Sequence, residues 1–287
     1  MGGAFLYRHR DTGLRLRESP VVGILELKGP IMDSHKILMK LHEAEEDRSI
    51  KALVLRLDSP GGSVGPSQEI YDAVKAFPKP LVVSMGSVAA SGAYYIACGA
   101  KKVFANPGTL TGSIGVIMQF ADLSKLYDWA KVRRYAITTG AMKDAGAEYK
   151  EMTPHERAVL QTMIDDVLEQ FKQAVREGRH LASKDVDPIA DGRIFSGRQA
   201  EKLHLVDALG SLEDAVKEAY RLGGIEGPMK WSTSVLWLNK RKHSFIEKIV
   251  KEFTDSEDDE KSIWEHIMQS KPHFDGPSLY WVAHHGA

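Results

Sequence analysis

Apolar residues change their period several times along the chain, and each change marks an expected element. Val21–Lys28 is β-branched and alternating and is closed by Gly29–Pro30, so it reads as a strand. Asp33 or Ser34 can cap a helix whose apolar face is Ile37, Leu38, Leu41 and Ala44. Lys51–Asp58 carries a near-continuous apolar run, the pattern of a strand buried on both faces of a parallel sheet. The stretch Ser59–Gly65 then leads to a helix from about Pro66 to Phe77, with proline in its first turn. Leu81–Ser84 is the next strand, and a helix opens near Ser91. Strand and helix in alternation predict an α/β fold of βαβ units.

Further on, Val103–Ala105, Ile114–Met118 and Val132–Thr138 read as strands, Leu123–Ala130 as a helix, and Thr139–Glu151 as an irregular loop. Thr153 with Glu156 forms a capping box, and Pro154 sits at the first position of a long helix to about Arg179. Ser196–Leu203 and Ser211–Leu222 are short helices. Beyond Gly223–Gly224 and Gly227–Pro228 the character changes. Trp231–Leu238 suits a strand, His243–Phe253 an amphipathic helix and Asp255–Lys261 a solvated acidic linker. Trp231, Trp237, Trp264 and Trp281 read as packing residues. The expected division is an N-terminal extension over 1–20, one catalytic domain over 21–224 and a C-terminal extension over 225–287.

Composition narrows the partners. A length of 287 residues suits one large α/β domain with a small appendage, and a net charge of −1 gives no reason to expect nucleic acid. The single cysteine, Cys98, lies in an apolar run; it excludes an intrachain disulfide and reads as packing. Leu81–Ala100 and Val103–Ala121 carry no charge and are long enough to cross a bilayer. Both are so interrupted by glycine and hydroxyl residues that they read as the buried heart of a domain housing a site.

Nine of the 25 glycines fall between Gly61 and Gly115, where backbone must come close to a ligand or turn sharply. Neither glycine-rich phosphate motif is present. Two serines compete as nucleophile. Ser63 lies in Gly61-Gly-Ser-Val-Gly65, a G-x-S-x-G match, but several residues including Pro60 separate it from the expected strand end. Ser91 follows a strand and opens a helix among small neighbours, where free N–H groups favour a developing oxyanion; an N-capping serine would look the same.

The segment from Ser84 to Ala97, SMGSVAASGAYYIA, closely resembles the nucleophile segment of the signal peptide peptidase A (protease IV) family. Asp58–Gly62, Gly108–Val116, Thr139–Gly146, Glu151–Pro154 and Leu205–Gly210 resemble that family's other segments, in order. Ala93 departs from it, where many members carry glycine. The resemblance implies a crotonase/Clp-protease-like βαβ superhelix assembled into an oligomeric ring. It implies Ser91 as nucleophile, Lys143 as general base and Ser113 as the group that orients the lysine amine. The N–H groups of Gly62 and Gly92 would form the oxyanion hole, with Gly61, Ser63, Val64 and Gly65 beside an extended substrate. Expected substrates are hydrophobic, membrane-derived peptides such as signal-peptide remnants, cleaved without metal or cofactor by a homo-oligomer. Family members carry an N-terminal membrane anchor and an extracytoplasmic catalytic domain. This sequence shows none at its start, so the expectation is that the anchor has been removed, or a cytoplasmic protein if none exists.

A lysine takes a proton from serine only as the neutral amine, which requires a water-poor site. The uncharged flank Ile137–Met142 suits that, and Asp144 is expected to turn away from the amine. Two other readings share the fold: an acyl-CoA hydratase or isomerase, which would need a glutamate base, and a non-catalytic peptide-binding ring.

Overall fold

The computed structural model describes residues 19–238 and 280–282. The chain opens with strand β1 (Val21–Lys28), helix α1 (His35–Glu46) and strand β2 (Ile50–Ser59). After Pro60 come the short strand β3 (Gly61–Ser63) and helix α2 (Val64–Ala76). Strand β4 (Leu81–Ala90) feeds the short helix α3 (Gly92–Ala97), and β5 (Lys102–Ala105) and β6 (Leu110–Gly112) follow. An exposed excursion holding α4 (Ser124–Trp129) leads to the long helix α5 (Pro154–Arg179). The remainder is α6 (Ser183–Val186), β7 (Ile194–Ser196), α7 (Gly197–Lys202), β8 (Ala208–Leu209) and α8 (Leu212–Leu222). A turn of helix, α9 (Trp231–Ser234), precedes β9 (Val235–Trp237), and β10 (Tyr280–Val282) is the last described element.

One sheet runs in the order β7-β6-β4-β2-β1-β9, and β5 branches from β4 to carry β8. Its pairs are parallel except β6 with β7. Strand alternation divides the apolar residues between two cores. Leu25, Leu27, Leu53, Leu55, Leu57, Val83 and Met85 face α1, α2, α3 and α5. Val22, Ile24, Ala52, Val54 and Val82 face α8 through Ala215, Val216 and Ala219. Burial on both faces is why the sequence of β2 lacks a polar side. Each such Leu or Val contributes roughly 1.5–3 kcal/mol by leaving water.

Several expectations are corrected. Ile114–Met118 and Val132–Thr138 are not strands, and the first half of Trp231–Leu238 is helical. Val132, Tyr135 and Ile137 are exposed, and among the described residues no strand pairs with that segment. Helix α5 begins as expected: Thr153 Oγ1 accepts the Glu156 N–H, and the Glu156 carboxylate returns to the Thr153 N–H. Cys98 is buried, and burial pushes its thiol up to about 12, in keeping with a packing role. Trp237 packs on the second core and Trp231 is partly exposed. The expected helix His243–Phe253, the acidic run Asp255–Lys261 and Trp264 lie outside the described residues.

Candidate active site

Strand β4 ends at Ala90 and α3 begins at Gly92, so Ser91 alone makes the turn. Its backbone sits at φ 55° and ψ −123°, a conformation that costs a side-chain-bearing residue about 1–3 kcal/mol. The turn is held from both sides. The Ser91 N–H donates to the Gly112 carbonyl at 2.8 Å, and the Ser91 carbonyl accepts the Tyr95 N–H at 2.9 Å. Ser91 is 1% exposed, and its Oγ has no hydrogen-bond partner among the described residues. A strained, sharp strand-to-helix turn that presents an uncommitted hydroxyl is how a nucleophile elbow is built.

Ser63 lacks that geometry. Only Pro60 separates β2 from β3, a tighter connection than the sequence suggested, but the Ser63 backbone is relaxed at φ −62° and ψ 139°. Its carbonyl accepts the Ser67 hydroxyl at 2.8 Å.

The strand bearing Gly62 is clamped by the loop after β1. The Ile31 N–H donates to the Gly61 carbonyl at 2.9 Å, and the Ser63 N–H donates to the Ile31 carbonyl at 2.7 Å. A Cβ on Gly62 would stand 2.1 Å from that Ile31 oxygen, so the approach is possible only for glycine. A Cβ on Gly92 would stand 3.3 Å from the Gly62 nitrogen and 2.5 Å from Ser67 Oγ. The Gly62 amide therefore lies against the first residue of α3, beside Ser91. Gly61 turns into this strand at φ 100°, Val64 is buried at the start of α2, and a Cβ on Gly65 would meet nothing.

Ser113 arrives from the neighbouring strand end. Ala90 pairs with Gly112 across β4 and β6, so Ser91 and Ser113 leave adjacent strands together. Ser113 also has a positive φ, 50°, and is buried. It borders a cavity of about 330 Å³ whose apolar lining includes Val116, Ile117, Ile164, Leu168 and Ala190.

Lys143 is exposed on the excursion between β6 and α5, where α4 buries no residue and Trp129, Tyr135 and Ile137 are 81%, 79% and 97% exposed. The Asp144 carboxylate accepts Lys150 Nζ at 2.8 Å and the Tyr149 hydroxyl at 3.1 Å, and among the described residues it forms no ion pair with Lys143. Lys150 also donates to Glu156 at 2.7 Å. Those two bonds push Lys150 up to about 12, and its ammonium holds both carboxyls below their ordinary values. One chain thus gathers Ser91, Ser113, Gly62 and Gly92, while Lys143 stands exposed.

Sequence reasoning missed the supports. Ser67, fully buried, lies beneath Gly92, and Ile31 clamps β3. Asp58 Oδ1 accepts the N–H groups of Ser87 and Val88, both at 3.1 Å, and so carries β4 past Gly86. Only Asp58 carried a signal, as the first residue of the Asp58–Gly62 motif.

Comparison with known proteins gives the family. The signature described as Peptidase family S49 matches residues 73–226, over half of the chain. The chain belongs to peptidase family S49, the signal peptide peptidase A family. The Clp protease signature matches residues 22–111, giving this S49 chain an α/β fold of the Clp/crotonase type. It is 42% identical over 205 residues to a Synechocystis sp. protein provisionally named a protease, covering 70% of this chain and 74% of the relative. It is 35% identical to a protein of Enterococcus faecium provisionally named signal peptide peptidase SppA, over 62% of this chain and 53% of the relative. It is 31% identical to the chloroplastic serine protease SPPA of Arabidopsis thaliana, over 72% of this chain but only 31% of the relative. This S49 chain is a serine protease, spanning between a third and three quarters of these relatives' lengths. No helix among its described residues is long and apolar enough to cross a membrane.

Proposed function

We propose that this S49 protease cleaves hydrophobic, membrane-derived peptides, such as signal-peptide remnants, through an acyl-enzyme on Ser91 with Lys143 as general base. The observation that carries this reading is the strained, buried Ser91 with its unpartnered hydroxyl. Neutral Lys143 takes the Ser91 proton as Oγ attacks the peptide carbonyl. The N–H groups of Gly62 and Gly92 receive the oxyanion, a contribution typically worth about 10²–10³-fold per donor. The C–N bond then breaks, the leaving amine takes the proton from the Lys143 ammonium, and water repeats the sequence to release the acid. Ser113, one strand away from Ser91, orients the lysine amine.

Because Lys143 stands exposed on the excursion, the base of one site comes from a neighbouring protomer of a homo-oligomeric ring. The bare apolar side chains around it support such a contact, since burying them would dry the amine. The substrate lies extended against β3, with Gly61, Ser63, Val64 and Gly65 alongside. The cavity beside Ser113 offers Val116, Ile117, Ile164 and Leu168 to hydrophobic side chains, with Gln161, Asp165 and Asp191 among its polar lining. Membrane association would bring such substrates near. The hydratase or isomerase alternative needs a glutamate base and no attacking serine, and a covalent adduct trapped on Ser91 would exclude it.

Mixing inactive Ser91→Ala and Lys143→Ala subunits tests the arrangement. Peptidase activity is expected to return on mixing, and mass spectrometry after a serine-directed phosphonate should place the adduct on Ser91. Activity that survives either substitution alone would overturn the mechanism.

A further inference from the structure

Strand β3 has two edges. One carries the Ile31 clamp. The other pairs antiparallel with β10, in the register Tyr280 with Ser63, Trp281 with Gly62 and Val282 with Gly61. Strand β10 also packs on α3, the helix that starts immediately after Ser91. The chain's own residues thus lie along the edge assigned above to an extended substrate, with Trp281 opposite the oxyanion glycine.

We propose that Tyr280–Val282 is an internal occupant of the substrate strand site and competes with peptide substrates for it. The inference rests on the proposed placement of substrate along β3. An edge offers a single row of N–H and C=O groups, so one extended segment there excludes another. The surrounding sequence, Leu279-Tyr-Trp-Val-Ala283, is uncharged and apolar, the same chemistry as the proposed substrates. A segment tethered to its own binding site acts at an effective concentration of the order of millimolar, so even a weak strand contact keeps the site mostly filled. A free substrate must then displace it, which raises the apparent KM and leaves kcat unchanged.

The test compares the full chain with a full-chain Trp281→Pro variant, since proline removes an N–H and is poorly tolerated in a paired strand. Val282→Pro serves as a second variant if the first does not fold. Two readouts are taken: the rate at which a phosphonate labels Ser91, and cleavage of a fluorogenic apolar peptide. Labelling is expected to rise about 10-fold in the variant, with a matching fall in KM and little change in kcat. A synthetic peptide spanning residues 278–287 should inhibit the variant competitively and return its kinetics toward those of the parent. Equal labelling at Ser91 in parent and variants, with no inhibition by the peptide at millimolar concentration, would overturn the proposal alone. Absence of labelling at Ser91 in every protein would overturn the catalytic reading and this inference with it.

Discussion

Substituting Gly62 by alanine puts the central geometry at risk with a single methyl group. The added carbon would stand 2.1, 2.6 and 2.7 Å from the oxygen, nitrogen and carbonyl carbon of Ile31, whereas real Cβ contacts essentially never fall under 3.0 Å. Backbone lies on both sides of the clash, so no side chain can swing away. The two strands must part by about 1 Å, which stretches the Ile31–Gly61 and Ser63–Ile31 hydrogen bonds and carries the Gly62 amide off its aim. A misplacement of ~1 Å in a catalytic group costs about 10²-fold in rate, and complete loss of one oxyanion donor costs ~10²–10³-fold. Gly62→Ala should therefore reduce kcat/KM for an apolar peptide by about 10²–10³-fold, or roughly 2.7–4 kcal/mol of transition-state stabilisation. Overpacking of this kind costs about 1–3 kcal/mol of stability, so far-UV circular dichroism should still report a folded chain. Gly108→Ala is the control, because a Cβ there meets nothing within 4 Å. Activity of Gly62→Ala within about threefold of the parent would remove Gly62 from the oxyanion hole.

Two further outcomes follow from groups near the site. Lys150 ties Asp144 to Glu156, and both carboxyls lie below their ordinary values of 3.8 and 4.5. A depressed carboxyl stabilises the fold above its ordinary value and loses that contribution as pH falls through the lowered one. Lys150, raised from 10.5 to about 12, contributes fully below 10.5 and loses that contribution as pH rises through about 12. Amide exchange at the start of α5 should thus stay slow at neutral pH and quicken below about pH 4, while Lys150→Met should exchange fast already at pH 7. Equal protection in the two proteins at pH 7 would refute the latch. Separately, Ser91→Gly relieves the strain of φ 55° and forfeits no capping bond, because the Ser91 side chain makes none. After glycine's own entropy cost, a net gain of about 1 kcal/mol raises the melting temperature by roughly 2–4 °C. Ser91→Ala keeps the strain, so an alanine variant melting as high as the glycine variant would refute that reasoning.

Where one element dictates its own form, the sequence was readable. Strand β1 has the bounds its alternation predicted, and the Thr153–Glu156 box starts α5 where expected, because both signals are local. Strand β4 was read as ending near Ser84, since Gly86 and Ser87 look like a break. The carboxylate of Asp58, almost thirty positions earlier, bridges that break, and no period reports such a contact. Val132–Thr138 has strand-forming side chains but no strand partner among the described residues, and pairing is a property of neighbours. At the site, residue type alone left Ser63 and Ser91 in competition. The resemblance favoured Ser91, and the backbone strain there supports the choice. The exposure of Lys143 was hidden because an uncharged flank along the chain says nothing of what packs over it.

The tether between Ser91 and Gly112 sets an order of events during synthesis. Gly112 belongs to β6, which is zipped antiparallel to β7, and the Ser113 N–H is fixed by the Arg193 carbonyl at 2.9 Å. The turn that arms the hydroxyl therefore rests on β4 alone until about a hundred more residues have been added and β7 can close the far edge of β6. A chain that ends before Arg193 lacks both the partner strand of β6 and the carbonyl that fixes Ser113.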